Sequence, residues 1–182
     1  MPNGSGGGTQ YKYAFQFPGN NNYSLNSLNG SIYVAPGANI TLVTQNDANI
    51  NSIYVAGTGN NAGSLTIYMG GTNFALMGKV TVENQSATNL QYFGSAANTN
   101  ITLNLGDSIH GPITTNFSGT IYAPTASVLL NDGYETNVSY SFNGAITAQS
   151  ITQIGKLQFH YDDNLRRNGP RRRYVLGSWQ EF

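Results

Sequence analysis

Cysteine is absent from the 182 residues, which excludes disulfides and thiolate metal sites without fixing a compartment. Charge is scarce: Asp, Glu, Lys and Arg make up 9% of the chain, against about a quarter in an ordinary globular protein. The formal net charge is +0, so the chain as a whole has no electrostatic bias toward nucleic acid or an anionic membrane. No run approaches the roughly 20 apolar residues of a membrane span, and the N-terminus lacks the basic and hydrophobic regions of a signal peptide. The strong helix formers Ala, Glu, Lys, Leu and Arg are thinly spread, which argues against a helical fold.

What is abundant points the other way. Tyr, Thr, Val and Ile suit strands, while Asn and the 22 glycines suit tight turns, because both tolerate positive φ. A charge-poor surface rich in Asn and Thr leans toward an extracytoplasmic location. The opening MPNGSGGG reads as a flexible linker or cloning remnant over residues 1–10, so any export signal or anchor helix is expected upstream. Residues 11–165 read as one domain, because no linker or shift in pattern divides them, and residues 166–182 as a basic segment with a final cap strand.

One pattern occurs twice: FSGTIYA at Phe117–Ala123 and FNGAITA at Phe142–Ala148, offset by 25 residues. Phe117, Gly119, Ile121 and Ala123 alternate with Ser118, Thr120 and Tyr122, as do Phe142, Gly144, Ile146 and Ala148 with their neighbours. That alternation is the period of a strand. Further strand candidates lie at residues 30–35, 39–43, 52–56, 64–69, 79–83, 89–93, 100–105, 126–130, 150–154 and 156–161, each bounded by Gly, Asn or Asp. The pair Ile-Tyr recurs at Ile32, Ile53, Ile67 and Ile121, with unequal spacings of 21, 14 and 54. Short strands repeating on coils of about 20–25 residues predict an all-β fold: an irregular parallel β-solenoid with a C-terminal cap, in which coils bury their apolar faces by stacking.

The order FSGTIYAPTASVLLNDG, FNGAITAQSITQIG, LQFHYDDNL and YVLGSWQEF resembles the C-terminal domain that follows a PilX-type N-terminal helix in bacterial pilus-assembly-associated proteins. Phe117, Gly119, Ile121, Tyr122, Ala123, Pro124, Gly144, His160, Tyr161, Asp162 and Leu165 match its pattern, and Asp163 stands where that pattern has Glu. The likeness covers roughly residues 117–182, with a looser fit at 30–42. It implies a non-enzymatic role in a filament or envelope assembly, with protein subunits as partners.

Site chemistry is sparse. His160 and Asp162, two apart on an expected strand, would share a face as a metal or proton-relay pair. A metal needs further ligands, and His110, Asp107 and Asp132 are isolated, so no metal or other cofactor is expected. The simpler expectation is that Asp162 accepts a hydrogen bond from His160 or caps the turn into Asn164. Asp162 and Asp163 as a calcium pair point oppositely on a strand. The eight acids are scattered, mostly at turns, and no nucleophile elbow, zinc helix or phosphate loop is present, so no catalytic residue is assigned.

Recognition offers more. Pro124 is expected to end its strand, with Ile121 inward and Tyr122 outward or stacked on the next coil. Thr41, Thr66, Thr81, Thr102 and Thr147 would form one outward column if the coils stack in register, the array an ice-binding solenoid displays. Tyr23, Tyr134 and Tyr140, expected to be exposed in polar loops, are candidate sugar-stacking platforms, which makes a glycan-binding adhesin the alternative function. Arg166, Arg167, Arg171, Arg172 and Arg173 form a basic cluster for an anionic partner or a solvated tail. After it, Tyr174, Val175, Leu176 and Trp179 alternate as a closing strand would.

Overall fold

The computed structural model describes residues 13–105, 116–131, 140–163 and 165. Thirteen strands follow one another: β1 (Phe15–Phe17), β2 (Asn21–Leu25), β3 (Leu28–Val34), β4 (Asn39–Thr44), β5 (Ala48–Val55), β6 (Ser64–Met69), β7 (Asn73–Leu76), β8 (Val80–Val82), β9 (Leu90–Gly94), β10 (Asn100–Asn104), β11 (Asn116–Asn131), β12 (Tyr140–Ile154) and β13 (Leu157–His160). Every pairing between them is parallel. The chain winds as a β-solenoid of about four turns, as the repeat predicts.

The pairings sort into three sides. The first side stacks β1, the C-terminal halves of β3 and β5, and β8, and then the starts of β11 and β12 with β13. The second stacks β2, β4, β6, β9 and the middles of β11 and β12. The third stacks the N-terminal halves of β3 and β5, β7, β10 and the ends of β11 and β12.

Alternation drives this winding, since every second residue of each strand turns inward onto its equivalents in the coils above and below. On the second side Leu42, Ile67, Tyr92 and Ile121 lie in register and buried; on the third, Phe74, Ile101 and Val128 do. Each such side chain contributes about 1.5–3 kcal/mol by leaving water. The four Ile-Tyr pairs obey the same rule. Ile32 and Ile53 stack on the first side and Ile67 and Ile121 belong to one inner column of the second, while their tyrosines face outward.

Corners are made by Gly, Asn and bulges. β3 and β5 turn a corner within one strand, with a register shift between Gly30 and Ser31, and Gly30 has φ 123°. β11 and β12 do so with a shift between Ala123 and Ser127. Pro124 therefore does not end its strand, contrary to expectation. It sits in the bulge, where a residue without an N–H forfeits no ladder bond.

Asn98 secures another corner from inside. Fully buried, it accepts a hydrogen bond from the Tyr92 hydroxyl at 2.9 Å and donates Nδ2–H to the Thr72 carbonyl at 3.1 Å.

Candidate interaction surface

The repeated motif is largely structural. Phe117 and Phe142 stack inward with ring centroids 4.6 Å apart, and Phe159 continues the column at 4.9 Å. Ile121 and Ala123 are buried, and Ile146 and Ala148 pair with them one coil later, partly buried. Gly119 and Gly144 pair directly, but for different reasons. A Cβ on Gly144, at φ +150°, would stand 1.8 Å from the Gly119 carbonyl oxygen; one on Gly119 would meet the Phe117 ring and the Leu90 carbonyl.

His160 and Asp162 do not make the same-face pair that their spacing predicts. β13 ends at His160, which pairs with Asn143 and is exposed, so strand alternation does not extend to Asp162. The Asp162 carboxylate accepts a hydrogen bond from the backbone N–H of Ala87 at 2.8 Å, and its carbonyl accepts one from Leu165 at 3.0 Å. Tyr161 is exposed. Among the described residues no group of three or more His, Asp or Glu side chains is placed to hold a metal.

The tyrosine platforms need correction. Tyr140 is buried rather than exposed, because it falls on the strand part of β12 and not in a loop. Tyr23 is half-buried, its ring 4.8 Å from Phe17. Tyr134 and Arg166, Arg167, Arg171, Arg172 and Arg173 lie outside the described residues, as do His110, Asp107 and Asp132.

The threonine column also breaks up. Thr41 and Thr66 pair, but Gln91 follows them; Thr81 pairs with Tyr54, Thr102 with Ala75 and Leu129, and Thr147 with Tyr122. Coils of unequal length carry the five threonines to three different sides.

Register creates a different array that the sequence alone did not single out. On the outside of the second side, Val43, Tyr68, Phe93 and Tyr122 lie in one column across four consecutive coils. Val43, Tyr68 and Tyr122 are 41%, 45% and 52% exposed. With strands about 4.8 Å apart the strip is about 14 Å long. Tyr68 and Phe93 stack at 5.1 Å and 17°, and Tyr122 tilts at 50° to Phe93, 6.4 Å away. The parallel column beside it reads Thr41, Thr66, Gln91 and Thr120. Neither column contains a charged residue. The constant spacing of 25 from Val43 to Tyr68 to Phe93 was the signal, and it is visible only once the coil length is known.

The first side carries a second ring column, Tyr13, Tyr33 and Tyr54, with Tyr33 and Tyr54 stacked at 5.7 Å. It is pinned to charge: the Tyr54 hydroxyl donates to Glu83 Oε1, and Glu83 Oε2 accepts the Gly57 N–H at 2.6 Å. The Glu83 hydrogen bond, with some burial, pushes the Tyr54 phenol up to about 12. Beside it, Tyr13, Ser52, Tyr54, Lys79 and Thr81 line a cleft of about 60 Å³, far smaller than the several hundred Å³ of a typical small-molecule site.

Compared with known families, residues 27–168 match the model described as "Domain of unknown function (DUF7305)". The chain belongs to the DUF7305 family. The matched span takes in all three sides of the solenoid and the whole Val43–Tyr122 column, and it excludes β1 and β2. Neither a curated protein nor a solved structure matches this DUF7305 chain. Among its described residues no helix is long and apolar enough to cross a membrane.

Proposed function

We propose that this chain is a non-enzymatic, extracytoplasmic structural and interaction module of a pilus-assembly or cell-surface protein, with protein subunits as its principal partners. The uncharged aromatic column Val43, Tyr68, Phe93 and Tyr122 carries the reading. Rings stacked on one another hide much of their faces and offer their edges beside threonine and glutamine hydroxyl and amide groups. Covering such a surface desolvates no charge, and Tyr and Phe are enriched where proteins meet. Parallel ladders hold the column, so a partner meets a surface already ordered and loses little entropy in binding it. The PilX-type resemblance of residues 117–182 supplies the filament or envelope context.

The second reading is a glycan-binding adhesin, favoured by Tyr122, whose half-exposed ring tilts away from Phe93. Fractionation of the full-length parent in its native host separates the two. Recovery with sheared filaments or an envelope complex, lost on Tyr68→Asp, is expected. Recovery in neither fraction, together with glycan-array binding that Tyr122→Ala abolishes, would overturn the first reading in favour of the second.

A further inference from the structure

The tyrosine column of the first side stops at the cleft. Tyr33 and Tyr54 stack in register, but the next coil sets Thr81 opposite Tyr54, so no ring continues the stack there. Tyr13 lines the cleft as well, its ring edge-on to Tyr54 at 6.4 Å. Lys79 is held in place by its backbone, whose carbonyl accepts the Ile53 N–H at 2.9 Å. Among the described residues, neither the exposed Lys79 ammonium nor the Ser52 and Thr81 hydroxyls have a hydrogen-bond or ion-pair partner. Three unspent polar groups therefore line the cleft beside two tyrosine rings. Glu83, the acid nearest to Lys79 in the sequence, accepts from the Tyr54 hydroxyl and the Gly57 N–H and does not line the cleft.

We propose that this cleft seats one carboxylate-bearing sugar unit of an acidic polysaccharide, with the sugar ring against Tyr54, the carboxylate on the Lys79 ammonium and sugar hydroxyls on Ser52 and Thr81. A tyrosine ring offers an apolar face to the C–H groups of a sugar, and an ammonium without an ion pair of its own selects an anionic one. The two hydroxyls favour a sugar over an acidic peptide, because each both donates and accepts, as sugar hydroxyls do. At about 60 Å³ the cleft takes one edge of a unit rather than a whole small molecule, which suits a polymer lying across the coils. The site lies on the first side, away from the Val43–Tyr122 column, so the inference stands independently of the proposed function.

Calorimetric titration of the full 182-residue protein with trigalacturonate and with N-acetylneuraminate tests this, with the neutral galactose trimer as reference. Saturable binding of at least one acid is expected, with the neutral trimer weaker by about tenfold because one charge-assisted contact is missing. Lys79→Met should lose about the same factor. Its side chain is exposed and unpartnered, so the variant keeps the wild-type circular dichroism. Lys156→Met removes the same charge elsewhere and should bind as the wild type does. Failure of both acids to bind overturns the inference, as does equal binding of the neutral trimer or an affinity that Lys79→Met leaves unchanged. Pentaglutamate binding as tightly as the acidic sugars, and lost on Lys79→Met, also overturns it and makes the occupant an acidic peptide.

Discussion

The Asp162 carboxylate accepts a hydrogen bond from the backbone N–H of Ala87, 75 residues earlier in the chain and 2.8 Å away. Ala87 begins the short 3-10 turn Ala87–Asn89 that leads into β9. The acid after His-Tyr thus ties the end of the last coil to a corner below it. Removing a carboxylate that caps backbone donors costs about 0.5–2 kcal/mol. Asp162→Ala should lower the free energy of unfolding by that amount, and Asp162→Asn, which keeps an acceptor oxygen, by less. Urea titration of the two variants checks this, and equal loss would show that the charge, not the hydrogen bond, matters.

Gly144 is the more constrained of the two paired glycines. A Cβ there collides with the Gly119 carbonyl oxygen, and φ +150° is a conformation that L residues avoid. Gly144→Ala should cost about 2–4 kcal/mol. That corresponds to a fall in melting temperature of roughly 4–16 °C for a domain of this size. Differential scanning calorimetry measures it.

Inside the corner, Tyr92 and Asn98 satisfy one another without solvent, and burial holds the Tyr92 phenol above its ordinary range. Tyr92→Phe removes one donor and should cost about 1–2 kcal/mol. Asn98→Leu also strands the Thr72 carbonyl and should cost about 2–4 kcal/mol. The double variant should cost less than the two single losses added together, because the bond they share is lost once.

The Tyr54–Glu83 pair predicts an alkaline weakness. The folded phenol is raised to about 12 from an ordinary 10.0. Its stabilisation is therefore complete below 10.0 and is lost as pH rises toward about 12, because the unfolded chain gives up the proton first. Melting temperature should fall more steeply over that window in the wild type than in Tyr54→Phe. Equal slopes would mean that Tyr54 titrates alike in both states.

Much of the winding was legible in the sequence, because side-chain alternation is local. The strands at residues 64–69, 100–105 and 126–130 fall where alternation and turn residues place them, and the 25-residue offset of Phe117 and Phe142 is their pairing register. Phe15–Phe17, Asn21–Leu25 and Asn73–Leu76 were not marked, since none of the three contains the Val, Ile or Thr that signals a strand. Long-range features were hidden for another reason. The threonine column failed and the Val43–Tyr122 column escaped notice because both depend on register between coils of unequal length, which no local pattern encodes. Tyr140 was misplaced because its polar neighbours read as a loop, although β12 had already begun.

The most direct test of the side column as a contact surface is a photo-crosslinking residue in place of Tyr68 in the full-length parent, irradiated in living cells of the native host. A covalent adduct with a protein subunit that fractionates with filaments or envelope is the expected result, with none from the same label at Asn49 on the third side. No protein adduct at position 68, or equal labelling from position 49, would contradict it.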